Sequence, residues 1–442
     1  MANNQTYFSR QIDKELRKWT DETNRKPLIL RGARQVGKSS AVRELGKRFK
    51  YFVEVNFDEN KEVKKLFEQS FTPQEICQRL AFLYGTPIIP GESLLFLDEI
   101  QSCVSAISRL RYFKEKYSAL HVIAAGSLLE LAIDETPSIG VGRERNLFMY
   151  PFSFEEFMNA LGEKMLVEAY RSASPANPLF EPIHKKLLNS LKIFLIIGGL
   201  PEVVSNYVHS RDLLKCQASL NDLVITFRRD FNKYKQKVPG SRIAEVFQSV
   251  ADQVNGKFIY EKAAIGANNY QVRQALDLLI KAGLVIPVTH TAANGIPLAA
   301  EKNNKYRRML MCDTGIYQRV LGLDTTELLL SDDFKVVNRG AIAEMFVGLE
   351  IIKSISSYEE AELYCWVREK RNSQAQVDFV IQKGEKIIPI EVKSGAQGSM
   401  QSLREFMKEK EAKTGIRTSL ENFFQIENIN SYPLYAISNL LI

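Results

Sequence analysis

The apolar stretch Pro27-Leu28-Ile29-Leu30 runs, through Arg31, into Gly32-Ala33-Arg34-Gln35-Val36-Gly37-Lys38-Ser39, a complete G-x-x-x-x-G-K-S sequence. No other feature narrows the fold so far, because this pattern works only with a strand before it and a helix after it. The loop's backbone N–H groups and the N-terminus of the following helix then form a concave positive field that suits the oxygens of a nucleoside triphosphate. The expected lining is Gly32, Ala33, Arg34, Gln35, Val36, Gly37, Lys38, Ser39 and Ser40. Lys38 should reach the β- and γ-phosphate oxygens and Ser39 a Mg²⁺ ion.

Leu94-Leu95-Phe96-Leu97-Asp98-Glu99 is a continuous apolar run that ends in two carboxylates, as expected of a strand buried on both faces of a parallel sheet. In this position, some sixty residues after the loop, Asp98 is the magnesium-side acid and Glu99 the residue that positions or activates water. Tyr51 to Phe57 alternates like a strand, and His121 to Ser127 forms another that ends on a polar residue. Ser127 fits two roles: a sensor beside the γ-phosphate, as in ATPases with an extra strand between the two motifs, or a helix cap for Leu128 to Leu131. Strand and helix alternate from Lys26 to about Ser127, which argues for an α/β fold with a doubly wound parallel sheet. Beyond it, the glycine-flanked Arg143, with Arg145 in reserve, is the candidate arginine finger or sensor arginine. Ser153 and Glu156 form a capping box that should start a helix at about Phe154.

The chain has 442 residues, enough for two to four domains, and its 45% hydrophobic and 25% charged residues describe a soluble globular protein. A formal charge of +7 is compatible with a polyanionic partner without requiring one. Five scattered cysteines, with no C-x-x-C pair, read as reduced thiols of a cytoplasmic protein and offer no zinc site. The polar N-terminus, with Arg10, Lys14 and Arg17 at helical intervals, lacks the apolar segment of a signal peptide. The longest apolar stretch, Ile193 to Leu200, is far too short to span a bilayer, and no membrane partner is expected.

Ala173 to Pro182, with three prolines, looks like a linker or exposed loop. Phe227 to Lys237 interleaves basic and aromatic residues, which suits nucleic acid but more often marks a solvated helix face with its aromatics turned inward. From Asn255 to Val288 the order is that of a winged helix: a short helix at Lys262 to Ile265, a turn, an amphipathic helix from Tyr270 to Ala282, and a strand. Tyr270, Gln271, Arg273 and Gln274 would meet a DNA groove, although winged helices also serve as protein-docking modules. Farther on, Val377-Asp378-Phe379-Val380-Ile381, a Lys383-Gly384 turn and Ile390-Glu391-Val392-Lys393 form a hairpin. Its period-two geometry puts Glu391 and Lys393 on one face with Asp378 nearby. This D, E-x-K arrangement is the core of restriction-endonuclease-like nucleases, in which paired carboxylates hold a divalent cation. Glu344 could add a third carboxylate; an ordinary charged hairpin is the plainer reading. Pro389 removes a ladder N–H and demands an edge position or a bulge.

With these pieces in order, the chain closely resembles the bacterial and archaeal AAA-type ATPases that carry a DUF4143 C-terminal region. The resemblance rests on Arg31 to Ser39, Leu97-Asp98-Glu99-Ile100-Gln101, Ala125-Gly126-Ser127, Gly142-Arg143, Pro151 to Phe157, Gly198-Gly199-Leu200-Pro201-Glu202, Asp313-Thr314-Gly315 and Ile390 to Lys393. Leu200 fills a slot where similar sequences often carry an aromatic residue. The resemblance implies binding and hydrolysis of ATP with Mg²⁺, a winged-helix middle and a nuclease-like end. The expected division is an ATPase domain over 1–165, a helical linker or lid over 166–240, a winged-helix domain over 241–325 and a nuclease-like domain over 326–442. Three functions fit: an ATPase driving a DNA-associated C-terminal half, a nucleotide-dependent switch that docks a protein partner through an inactive nuclease-like domain, and an ATP-regulated metal-dependent nuclease. The oligomeric state is left open.

Overall fold

The computed structural model describes residues 6–441 apart from 128, 130–141, 235–237, 255, 265, 267, 324–339, 370–374 and 394–399. It divides into two compact units, one made of Met1–Pro151 with Lys281–Gly283 and Ser356–Glu360, the other of Phe152–Ile280, Leu284–Ile355 and Ala361–Ile442.

The first unit is built on five strands, β1 (Leu28–Arg31), β2 (Tyr51–Asn56), β3 (Ser93–Asp98), β4 (His121–Ala125) and β5 (Arg145–Phe148). They lie in the order β2-β3-β4-β1-β5, and every pair is parallel. The period-two alternation of each strand sorts its side chains onto two faces. Leu28, Leu30, Leu94, Phe96, Ile123 and Ala125 pack with the helices Ile12–Thr20 and Lys38–Gly46. Ile29, Val53, Val55, Leu95, Leu97, Val122 and Ala124 pack on the other side with the helices Pro73–Tyr84 and Val104–Lys116. Helices on both faces of an all-parallel sheet make this the doubly wound architecture expected of a P-loop protein. β4 stands between the strands that carry the two motifs, as the extra strand was expected to.

The second unit holds an eight-stranded mixed sheet. Its strands are β6 (Val285–Thr291), β7 (Lys302–Met311), β8 (Leu363–Val367), β9 (Gln376–Lys383), β10 (Lys386–Val392), β11 (Gly415–Ser419), β12 (Phe424–Ile426) and β13 (Ile429–Pro433), in the order β12-β13-β11-β10-β9-β8-β6-β7. β6 pairs in parallel with β8, so strands on either side of residues 325/326 share one sheet. Pro389, expected at an edge or a bulge, instead lies in β10 between β9 and β11 with no register shift against β9; the pairing with β11 starts only at the next residue, Ile390. Helix Phe154–Ala160 starts at the Ser153/Glu156 capping box. Pro182, expected in a loop, sits in the first turn of helix Glu181–Ile197, where its lost N–H has no helical partner in any case. In the basic run, Phe227 and Phe231 are buried while Arg228 and Arg229 are exposed; residues 235–237 lie outside the described residues. Among the described residues, no helix is long and apolar enough to cross a membrane.

Three of the sequence elements named above turn out to be one buried junction. The Phe152 N–H donates to the Gly199 carbonyl at 2.7 Å, and the Gly199 N–H donates to Asp313 Oδ2 at 2.6 Å. Asp313 Oδ1 also accepts the Ile316 N–H at 3.0 Å and caps helix Thr314–Val320. A Cβ at Gly198 (φ +72°) would stand 2.0 Å from Asp313 Oδ1, and one at Gly315 would stand 2.6 Å from the Ile197 carbonyl, so both positions need glycine. Buried Glu350 accepts the Phe154 N–H and pairs with Lys353, which donates to the Phe152 carbonyl at 2.8 Å. Replacing Asp313 with Ala strands two buried N–H donors at about 1–3 kcal/mol each. Asp313→Ala should therefore lower the thermal unfolding midpoint clearly, and Asp313→Asn, which keeps one acceptor, should lower it less; equal, negligible shifts would contradict the junction's role.

Candidate functional site

Strand register brings the sequence motifs to one edge. In the first sheet Leu30 lies opposite Ala125, Leu97 opposite Ala124 and Asn56 opposite Asp98, so the chain segments that follow β1, β3 and β4 leave from the same carboxyl edge, where open parallel sheets bind ligands. Gly32 (φ +144°) and Gly37 (φ +98°) take conformations that side chains disfavour, and a Cβ on Gly32 would come within 2.1 Å of the Met149 carbonyl oxygen. Gln35 is also left-handed, at φ +67°. The loop thereby curls back over the start of helix Lys38–Gly46.

Lys38 is buried, and its ammonium donates to the Gly32 and Ala33 carbonyls, both at 2.8 Å. Desolvation pushes its pKa down to about 8, against the opposing pull of Glu99 and Asp98. Ser39 Oγ donates to Asp98 Oδ2 at 2.8 Å, which places a hydroxyl and a carboxylate from two distant segments side by side. Burial raises the Asp98 pKa, and the Ser39 hydrogen bond opposes that shift. A hydroxyl beside a carboxylate, next to a loop of N–H donors, is a donor set that fits a Mg²⁺ ion and a triphosphate.

Glu99 adopts the left-handed conformation (φ +50°) and accepts a hydrogen bond from Gln101 Nε2 at 2.5 Å. Buried Ser127 follows β4 along the same edge; of the Leu128 to Leu131 segment it was alternatively expected to cap, residues 128, 130 and 131 lie outside the described residues. Two further residues belong to this neighbourhood that were not selected as site residues, although Gln101 closes the motif Leu97 to Gln101. Gln101 fills the space beside Gly126, where a Cβ would stand 2.1 Å from its Oε1. Buried Arg10 donates to the Val36 carbonyl of the loop at 3.1 Å and to the Tyr150 carbonyl at 2.7 Å, tying the N-terminal segment to the loop. Its helical spacing with Lys14 and Arg17 hid it among surface charges.

Arg143 is placed elsewhere. Arg145 lies opposite Leu28, at the amino end of β1, so Arg143, two residues earlier, lies at the edge opposite the loop, at least the length of a four-residue strand, roughly 13 Å, away from it. Exposed, it pairs with Glu115 at 3.1 Å, while Arg145 pairs with Glu22 at 2.5 Å. In these ion pairs neither arginine meets the loop of its own chain.

In the second unit, Asp378, Glu391 and Lys393 do come together. Lys393 Nζ lies 2.7 Å from Glu391 Oε1, and Asp378 Oδ2 accepts the Val392 N–H at 2.8 Å. Burial, then the neighbouring Asp378, raises the pKa of both Glu344 and Glu391; burial raises that of Asp378 while Arg308 opposes it. Among the described residues, however, no group of three or more His, Cys, Asp or Glu is arranged to hold a metal ion, which corrects the expected Glu344, Asp378 and Glu391 cation site. Arg308 stands among these carboxylates, its Nη1 2.7 Å from Glu344 Oε2. In the expected winged-helix segment, Tyr270 is 68% exposed at the start of helix Asn269–Lys281; Gln274 donates to its hydroxyl at 2.9 Å, and Arg273 lies over the Tyr260 ring.

The depressed Lys38 pKa has a consequence for binding. Triphosphate oxygens favour the charged ammonium, so above about pH 8 binding must take up a proton and weakens, approaching tenfold per pH unit, whereas between neutral pH and about pH 8 this residue leaves it flat. Calorimetric titration with a non-hydrolysable ATP analogue up to about pH 9.5 should show this bend, with proton uptake on its alkaline side.

Comparison with known proteins agrees with the motifs. The AAA domain family matches residues 24–158, a domain of unknown function designated DUF8612 matches 188–327, and DUF4143 matches 339–437. None of the curated proteins is similar enough to match. Among solved structures, a Walker-type ATPase of Pyrococcus abyssi is similar at 14% identity over 71% of this chain and 96% of its own, with a TM-score of 0.45. The ORC1 protein of Aeropyrum pernix in complex with DNA follows at 12% identity over 74% and 95%, with a TM-score of 0.27. Both likenesses are too loose to carry weight by themselves. On the matched domains, the chain belongs to the AAA-type P-loop ATPases that carry a DUF4143 region at the C-terminal end.

Proposed function

We propose that this chain binds ATP with Mg²⁺, hydrolyses it, and uses the cycle to reposition a DNA-associated second unit in the cytoplasm. The observation that carries the first part is the 2.8 Å contact between Ser39 and Asp98 beside the buried Lys38. Lys38 then exchanges its two loop carbonyls for phosphate oxygens, and the loop N–H groups hold the remaining anionic oxygens. Magnesium, when bound, neutralises charge on the triphosphate. Glu99 orients the attacking water, Gln101 holds Glu99, and Ser127 takes the sensing place. Arg143 is available on the surface to a neighbouring subunit.

Lys38→Ala should abolish ATP binding in calorimetry. Glu99→Gln should bind ATP with near wild-type affinity and lose at least about a hundredfold in phosphate release. Normal turnover by Glu99→Gln would remove that residue from the chemistry.

The second part is supported by the helix order Gly240–Asp252, Asn269–Lys281 followed by the β6–β7 hairpin, which is compatible with a winged helix, and by exposed Tyr270 and Arg273 with half-buried Gln274 beside them. Contact with several backbone phosphates makes affinity fall steeply with salt. Fluorescence anisotropy with duplex DNA should show at least about a tenfold loss between low and physiological salt, and a weaker signal for Arg273→Ala. Absence of binding at low salt would favour the nucleotide-dependent switch that docks a protein partner instead.

A further inference from the structure

Arg308 lies within β7 opposite Val288 of β6 and is 1% exposed. A guanidinium this deep in a sheet is stable only if its charge and its donors are answered. Nη1 lies 2.7 Å from Glu344 Oε2 and 3.8 Å from Asp378 Oδ1, and Nη2 donates to the Asp378 main-chain carbonyl. The Phe379 ring lies beneath the guanidinium, 5.6 Å from its centroid. Two of the three carboxylates that the sequence aligns as metal ligands therefore share one fixed cation, and the third is held by Lys393.

Among the described residues, each of the three carboxylates already has one oxygen answered by this chain's own groups: Glu344 Oε2 by Arg308, Glu391 Oε1 by Lys393 and Asp378 Oδ2 by the Val392 N–H. Glu391 Oε2 is the buried oxygen of these groups without a partner. Mg²⁺ is held through one or two carboxylates with water completing its shell, so what decides the fit is the charge already in place: an ion here would have to share Glu344 and Asp378 with a fixed guanidinium that repels it. The residues present do not fit the divalent ion that the D, E-x-K pattern calls for, and the misfit comes from a side chain outside that pattern.

We infer that Arg308 is the built-in counter-cation of this site, standing between Glu344 and Asp378 where a nuclease would hold its metal. The hairpin site then folds without a divalent ion and serves as a metal-independent scaffold. This inference is independent of the ATPase reading, since its residues all lie in the second unit.

The test is calorimetric titration of nucleotide-free, full-length protein with MnCl₂, in an Asp98→Asn background that removes the magnesium-side acid of the first unit. With Arg308 intact, no saturable Mn²⁺ binding is expected, and adding Glu344→Gln should change nothing. Arg308→Met leaves the two carboxylates uncompensated, so its melting temperature should fall by several degrees; it should gain saturable Mn²⁺ binding and recover stability with Mn²⁺. Adding Glu344→Gln to Arg308→Met should erase that Mn²⁺ response. Saturable Mn²⁺ binding with Arg308 intact that disappears on Glu344→Gln would overturn the inference, as would a folded Arg308→Met protein indifferent to Mn²⁺. If Arg308→Met does not fold, the titrations with Arg308 intact still decide.

Discussion

The hydrogen bond from Ser39 to Asp98 is where this molecule's sequence, fold and chemistry meet. The two residues are far apart in the chain and belong to different strand-loop segments. They touch only because β1 and β3 are parallel, separated by β4, and in register at their carboxyl ends. An antiparallel or slipped arrangement would send one of them to the far edge of the sheet. The apolar faces that bury helices on both sides hold this register, so the hydrophobic core is also what positions Lys38, Ser39 and Asp98.

Burial sets the electrostatics of that edge. Lys38 loses hydration and is compensated by two backbone carbonyls and by the nearby carboxylates, while Asp98 is made harder to ionise and is steadied by Ser39. Both groups are thus poised for an anionic ligand and a cation to replace these internal partners. Arg10 adds a brace from outside the motif, holding the Val36 carbonyl of the loop.

Much of this was legible in the residues. Gly32 to Ser39 announced its own strand and helix because glycine spacing and a single lysine leave the backbone few alternatives, and the run from Leu94 to Asp98 could hardly be anything but a central strand. The Ser153/Glu156 box fixed a helix start because its two hydrogen bonds are local. What escaped was non-local. Arg143 looked like a catalytic arginine from its glycine neighbour, but only strand register reveals that it lies at the opposite edge. The carboxylates of the C-terminal hairpin were found by period-two spacing, whereas Arg308 reaches them from β7, a strand separated from β9 in the sheet by β6 and β8. Likewise Gly198, Gly199 and Asp313 read as separate family features, and their common purpose appears only when the N–H of Gly199 is seen to end on Asp313.

A structure with Mg²⁺ and a non-hydrolysable ATP analogue tests the central claim most directly. The account predicts that Lys38 Nζ leaves the Gly32 and Ala33 carbonyls for phosphate oxygens, while Ser39 and Asp98 turn from each other toward the ion. An analogue bound away from Gly32 to Ser39, or bound there with Lys38 still on those two carbonyls, would contradict it.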